Sequence, residues 1–404
     1  MGTATRSIVL LAAASLSTAI AFGGTARTSA QTRLAALPVS APAPADNPTT
    51  PARVALGRLL FWDPVLSGPQ DVACATCHHP ALGYADAQDL SIGVNGAGLG
   101  SDRAFAPGHP ARPVKRNSQS VVNAAFNGLT ASSRAVPAEA PMFWDLRARS
   151  LEAQALEPLK ASEEMRGSAY DEPHAVENVV ARLNGIPEYR RLFAAAFGGT
   201  QPVTAQNLGR AIAAFERTLI AANSPFDRYM RGETGALTAE QVEGMERFQS
   251  VGCVNCHSGP MFSDFKPHVL SVPDNRKLTE SDSGVNQSYA FRTPSLRNLN
   301  STAPYMHNGV FRSLPDVIDF YRRISGGRGR RGGPDGRGGF GGPARGANPN
   351  VAREQLDPLL RQLNLRGGGQ REIVEFLRAL DDPGFDRTIP PRVPSGLPVG
   401  GRIQ

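Results

Sequence analysis

Two five-residue stretches, Cys74-Ala75-Thr76-Cys77-His78 and Cys253-Val254-Asn255-Cys256-His257, share one pattern and together use all four cysteines of the 404-residue chain. Thiols three residues apart can form thioethers to the two vinyl groups of a haem, and the imidazole that follows can turn inward as a proximal iron ligand. Paired disulfides, a zinc ribbon or a redox dithiol would also use Cys-x-x-Cys. None of them requires a histidine directly after the second cysteine, and here it follows both times. The pattern therefore points to two covalently bound c-type haems, one on Cys74, Cys77 and His78, the other on Cys253, Cys256 and His257. His79 reads as a surface neighbour of the first ligand.

The motifs begin 179 residues apart, so each haem can sit in its own domain, and a chain of this length exceeds what one core usually serves. Thr204 can cap a helix whose apolar positions Leu208, Ile212, Phe215 and Leu219 form one stripe. Thr238, with Gln241 three residues on, makes a capping box for a helix that carries Val242, Met245 and Phe248 toward the second motif. Ile373, Phe376, Leu377 and Leu380 mark a further amphipathic helix. No stretch alternates apolar and polar residues long enough to argue for a sheet. The expected fold is mainly α, with two cytochrome c-like haem lobes, residues 31–220 and 221–404.

A hydrophobic content of 41% beside 20% charged residues is that of a folded chain and excludes a wholly disordered or fibrous one. Residues 1–30, with Arg6, a mostly apolar run from Ile8 to Phe22 and small residues up to Ala30, read as a secretory signal peptide. That run is shorter than a membrane span, and no later stretch is long and apolar enough to be one. The mature chain is thus expected in the periplasm without a membrane span. Residues 326–348 are Gly, Arg and Pro with almost nothing to bury, and supply much of the +7 net charge. An Arg-Gly tract can bind nucleic acid. In an exported haem protein the expectation is a solvated basic loop and no nucleic-acid partner, with docking to an acidic protein as the next use.

Further segments keep a recognisable order: "LGRLLFWDPVLS" (56–67), "RNSQSVVNAAFN" (116–127), "FWDLRARSLEAQALEPLKASEEM" (143–165), "SPFDRYMRG" (224–232) and "FRTPSLRNLNSTAPYMHNG" (291–309). With the two haem motifs among them, the chain from about Leu56 to Leu380 resembles the bacterial di-haem cytochrome c peroxidase family, which includes the MauG-type enzymes. The resemblance implies that hydrogen peroxide reacts at the first haem. Glu164 would be the distal acid there, and Gln154 and Pro158 would line the same pocket. A carboxyl group suits the chemistry, because cleaving a bound peroxide requires a proton moved from its near oxygen to its far one. Trp144 would lie between the haems as an electron relay, while Trp62 is expected to pack in the core. A calcium ion between the lobes is implied at Asn117, Thr302 and Pro304. Taken alone, Glu164 beside Glu163 reads as a charged surface turn, and Trp144 as a core aromatic.

Two positions depart from the peroxidase pattern. Where typical members carry a removable distal histidine, "LSIGVNG" (90–96) places Val94. An aliphatic side chain cannot bind iron, so the first haem is expected to be open without prior reduction, with His109 as a possible substitute ligand. On the far side of the second haem, "GVFRSLPDVIDFY" (309–321) places Tyr321 where typical peroxidases have methionine, as in MauG-type enzymes. Met306 competes by chemical type, and His307 is expected nearby without binding iron. Tyrosinate stabilises ferric and higher states, whereas methionine raises the potential. The surface tryptophan that MauG-type enzymes carry before the second motif has no counterpart at Val251. The leading expectation is a MauG-like oxidoreductase that uses hydrogen peroxide to oxidise a substrate, a residue on a partner protein, through high-valent haems. The alternative is a periplasmic peroxidase fed with electrons by a small cytochrome or cupredoxin. A non-enzymatic carrier would have no use for an open pocket with Glu164.

Overall fold

A computed structural model describes residues 1–2, 34–108, 113–325 and 347–403. The leader read at 1–30, His109 and nearly all of the Gly/Arg tract fall outside the described residues. Arg33–Gln404 form one compact unit, and the other unit, Met1–Thr32, lies outside the described residues but for its first two. The helices of the larger unit are α1 (Pro51–Trp62), α2 (Cys74–Cys77), α3 (Leu151–Gln154), α4 (Ala175–Gly185), α5 (Pro187–Phe197), α6 (Ala205–Glu216), α7 (Pro225–Met230), α8 (Ala239–Ser250), α9 (Leu314–Ile324) and α10 (Gln370–Arg378). Among the described residues strand is confined to antiparallel pairs: Gly96–Ala97 with Ala104–Phe105, Pro141–Met142 with Ala148–Arg149, and Pro267–Val269 with Ala290–Arg292.

Local chemistry starts the long helices where their caps place them. Thr204 Oγ1 accepts from the Asn207 amide ahead of α6. Thr238 Oγ1 accepts from the Gln241 amide while Gln241 Oε1 takes the Thr238 amide, closing the capping box of α8. The apolar stripes outlast the helices. Leu219 and Leu380 are buried beyond the ends of α6 and α10, where the chain has already turned away.

Helices α1 and α6 cross backbone on backbone, and so do α8 and α10. A Cβ on Gly57 of α1 would stand 1.9 Å from the Ala211 carbonyl of α6, and one on Gly244 of α8 would stand 1.9 Å from the Glu372 carbonyl of α10. The next neighbour is the Cβ of Phe215 in the first case and of Phe376 in the second, each at 2.9 Å. Each crossing closes over aromatic rings. Phe215 meets Phe61 at 5.2 Å, and Phe376 meets Phe226, Phe248 and Phe262 at 5.8, 5.4 and 6.0 Å. The chain thus builds one crossing twice, each time with the glycine-bearing helix just ahead of a Cys-x-x-Cys-His stretch. Gly244→Ala is expected to destabilise the protein by about 1–3 kcal/mol, because a backbone carbonyl cannot step aside, and this outweighs the ~1 kcal/mol that alanine adds to helix propensity. A denaturant titration reads the difference, and an unchanged midpoint would mean that the helices can slide apart.

The hydrophobic clusters do not follow a single cut in the chain. Leu34 belongs with the second cluster, and Phe385 and Val393 with the first. The Leu37 amide donates to Oδ1 of the buried Asp227 at 2.8 Å, and Asp227 also takes both terminal nitrogens of Arg297, at 2.8 and 2.9 Å. At the other end, the Gly400 amide donates to the Trp62 carbonyl at 2.7 Å, and the Thr76 hydroxyl to the Gly400 carbonyl at 2.8 Å. Trp62 is fully buried. His79, expected at the surface, is buried instead: its ring stands edge-on to Trp62 at 5.5 Å and its Nδ1 accepts from the Ala81 amide at 3.2 Å. The short turn at Pro80–Leu82 needs an acceptor at its start, and the imidazole supplies it.

Candidate functional site

Cys74 and Cys77 occupy the ends of α2, one helical turn, and Cys253 and Cys256 flank a tight turn at Cys253–Asn255. Residues three apart on a turn share a face, so each pair presents two thiols together. All four are free, and burial pushes Cys74 and Cys253 up to about 12 and Cys77 higher still. Among the described residues the one grouping with metal-ligand spacing is Cys256, Asp264 and His268, which uses a single cysteine.

The histidines that follow are oriented alike. His78 Nδ1 lies 3.1 Å from the Tyr84 carbonyl and 3.2 Å from Ser118 Oγ, and His257 Nδ1 lies 3.0 Å from the Phe262 carbonyl. A carbonyl only accepts, so Nδ1 carries the hydrogen in both rings and Nε2 is left bare for a metal. Burial lowers both imidazoles below their usual range and keeps them neutral.

Both motifs face one cavity of about 800 Å³. Its wall includes Gln154, Pro158, Glu164, Trp144, Asn117, Thr302, Pro304, Met306, His307 and Tyr321. The structure therefore gathers the residues singled out in the sequence around one space. Val94 is absent from that wall; its side chain is buried in the first hydrophobic cluster, and its amide donates to the Glu164 carbonyl at 3.0 Å.

Glu164 sits in a π-turn, Ser162–Arg166, whose wide bonds run from the Arg166 and Gly167 amides to the Ala161 and Ser162 carbonyls at 3.0 and 3.1 Å. Such turns are rare and collect at functional sites. Arg166 pins it, donating to the Lys160 and Tyr170 carbonyls at 2.7 and 2.6 Å. Burial, with Arg147 opposing it, pushes the Glu164 carboxyl up to about 7. Trp144 is 8% exposed, and its indole N–H donates to the Asn117 carbonyl at 3.0 Å. Asn117 in turn takes its place through an amide donated to the His307 carbonyl at 2.7 Å. The His307 ring stacks on Phe291 at 3.6 Å, and burial pushes it down to about 3, so it is neutral. Tyr321, on α9, has its phenol raised above the usual range by burial, with the thiols of Cys256 and Cys253 adding to the shift.

A c-type haem fits this space. The thiols come in pairs, the bare imidazole nitrogens lie beside them, and the walls are largely apolar, with Leu151, Ile212, Leu296, Ile318 and Leu377 among them. Arg292 adds a cation. It is 4% exposed, lines the cavity, and donates to the Phe143 carbonyl at 2.8 Å and to Gln119 Oε1 at 3.0 Å. Among the described residues no carboxylate pairs with it, and burial alone lowers it to about 10. The carboxylates of a haem would supply the missing counter-charge. Sequence reasoning does not single out Arg292 or Glu216, a second buried acid on the same wall. Arg292 lies inside the quoted 291–309 segment and Glu216 outside all of them, and only tertiary burial sets either side chain apart. Acid–acetone extraction followed by mass spectrometry should leave both haems on the chain, and a chain that keeps one haem, or holds zinc instead, would contradict the site.

Residues 51–235 match the family described as di-haem cytochrome c peroxidase, CCP_MauG. The chain is 38% identical over 298 residues to the methylamine utilization protein MauG of Methylorubrum extorquens, covering 72% of this chain and 74% of that protein. It is 36% identical over 347 residues to the cytochrome-c peroxidase IdrP1 of a Pseudomonas species, covering 77% and 82%. The crystal structure of a MauG-like protein associated with microbial copper homeostasis matches with a TM-score of 0.65 at 26% identity, over 86% of this chain and 95% of that one.

Proposed function

We infer the function from one premise: the chain belongs to the di-haem cytochrome c peroxidase family, which includes the MauG proteins. It is a peroxide-dependent oxidoreductase that carries two c-type haems. Within that family its role is MauG-like: it uses hydrogen peroxide to oxidise a substrate, a residue on a partner protein, in the periplasm. The leader read at 1–30 supports export, and among the described residues no helix is long and apolar enough to cross a membrane. Each helix crossing serves one cytochrome c-like lobe, so that α1 with α6 frames the first haem and α8 with α10 the second.

When bound, the first haem supplies an iron that takes peroxide and accepts its oxidising equivalents. His78 offers Nε2 to that iron because Tyr84 and Ser118 hold Nδ1. Glu164 takes a proton from the near peroxide oxygen and returns it to the far one, a task suited to a carboxyl that titrates at about 7. Gln154 and Pro158 share the pocket wall with it. Trp144, held by Asn117, passes electrons between the two halves of the cavity. Asn117, Thr302 and Pro304 offer calcium its oxygen atoms; the Asn117 Nδ2 is committed to the Gln88 carbonyl at 2.8 Å, which leaves its side-chain oxygen for the ion.

The observation that carries the MauG-like reading is Tyr321. It lines the cavity near Cys253 and Cys256, and its hydroxyl has no hydrogen-bond partner among the described residues. A phenolate there would bind the second iron and favour its oxidised states. Met306 lines the same cavity and favours the second reading, a peroxidase fed by a small electron-carrier protein. Optical and EPR spectra of the ferric protein, before and after peroxide, separate the two. A tyrosinate-ligated haem and a reaction without prior reduction support the first reading, and a methionine-ligated haem supports the second.

A further inference from the structure

Helices α6 and α10 hold equivalent places in the two crossings, since Ala211 and Phe215 meet Gly57 as Glu372 and Phe376 meet Gly244. Ile212 and Ile373, one residue after the crossing carbonyl in each helix, both line the cavity. The next cavity-facing position differs. Leu377 occupies it in the second half and Glu216 in the first. A leucine satisfies this place, so the fold has no need of an acid there. Glu216 is nonetheless 4% exposed, and its Oε2 makes no hydrogen bond. Burying a carboxyl without a partner costs stability that leucine would not.

Two more buried atoms near it lack partners, Oε2 of Glu152 on α3 and Nη1 of Arg217. Glu152 Oε1 accepts from Arg217 Nη2 and from Asn47 Nδ2. The Glu152 side chain keeps 19% of its surface exposed, while Arg217 keeps 2%. Both charges reach Glu216. Three orphan polar atoms around one helix contact are what a buried water satisfies.

We propose that Glu216 is a proton-transfer residue, which delivers protons from the part-exposed Glu152, through a buried water shared with Arg217, into the cavity of the first haem. The proposal rests on reading that haem as the peroxide site. Reduction of H2O2 to two waters breaks the O–O bond and consumes two electrons and two protons. The substrate supplies the electrons, and its own protons leave where it docks outside. Glu164 moves a proton between the two peroxide oxygens and adds none, so both must enter from solvent. Burial holds Glu216 up to about 8, with Arg217 lowering it and Glu152 raising it. It is therefore protonated at neutral pH and recharged from Glu152 after each transfer.

The test compares holoprotein with Glu216→Gln and Glu216→Leu, measuring peroxide turnover with a small-molecule electron donor from pH 6 to 9, haem content and the denaturant midpoint. Wild-type turnover should fall as pH rises through about 8, as Glu216 loses its proton. Both variants should turn over at least about tenfold more slowly and lose that alkaline limb, with both haems kept and Glu216→Leu no less stable than wild type. Unchanged turnover or an unchanged pH profile in Glu216→Gln overturns the proposal. So does a slowdown accompanied by haem loss or reduced stability in both variants, which marks a structural role. If peroxide fails to react with the wild type itself, the reading of the first haem falls, and the proposal with it.

Discussion

Glu164→Gln slows the reaction with peroxide by about 10²–10⁴-fold, the range a positioned acid–base group contributes, and leaves both haems attached. The amide keeps the size of the carboxyl and the π-turn that holds it, so the pocket survives while the proton carrier is lost. The sign of the pH dependence follows from its role. In the proposed role Glu164 first accepts a proton, which makes its carboxylate the active form, and burial pushes its carboxyl up to about 7. Wild-type reaction rates should rise as pH rises through that value, and the Gln variant should show no such limb. Stopped-flow mixing of ferric protein with peroxide reads both effects. An unchanged rate would remove Glu164 from the mechanism, and a rate that falls through pH 7 would reverse its role.

The other large effect is expected at Tyr321. The phenol is held above its usual range by burial, so without iron it stays neutral at every ordinary pH. Only a cation placed against it can draw off the proton. With the phenolate bound, the ferric protein shows one high-spin haem and one low-spin His–Tyr haem, and no near-infrared band of a His–Met pair. Peroxide reacts with the fully ferric form, because Val94 offers no ligand to block the first site. Tyr321→His keeps the fold and the peroxide pocket but no longer stabilises the oxidised pair, since a neutral imidazole gives an electron-poor iron less charge. A His–Met signature in the native protein, or a reaction that starts only after one-electron reduction, would make Met306 the ligand and the detoxifying peroxidase the better reading.

What the amino-acid sequence determined by itself is local or covalent. The spacing of Cys74, Cys77 and His78, repeated at Cys253, Cys256 and His257, specifies haem attachment because the thioether chemistry needs only five consecutive residues. Thr204 and Thr238 place the starts of α6 and α8 because a cap bonds within its own first turn. Tertiary structure decided the rest. The π-turn under Glu164 has no propensity signature and persists because Arg166 and the Val94 amide tie it down. His79 is buried because the Pro80–Leu82 turn and Trp62 claim its ring. The tail around Gly400 returns to Trp62 and Thr76 through backbone carbonyls, which every residue carries and no side-chain pattern can announce. Gly57 and Gly244 become decisive only once a second helix lies across them. Glu216 and Arg292 look like ordinary surface charges in the sequence, and only the folded chain strips away their water, which is what turns a charge into a chemical group with work to do.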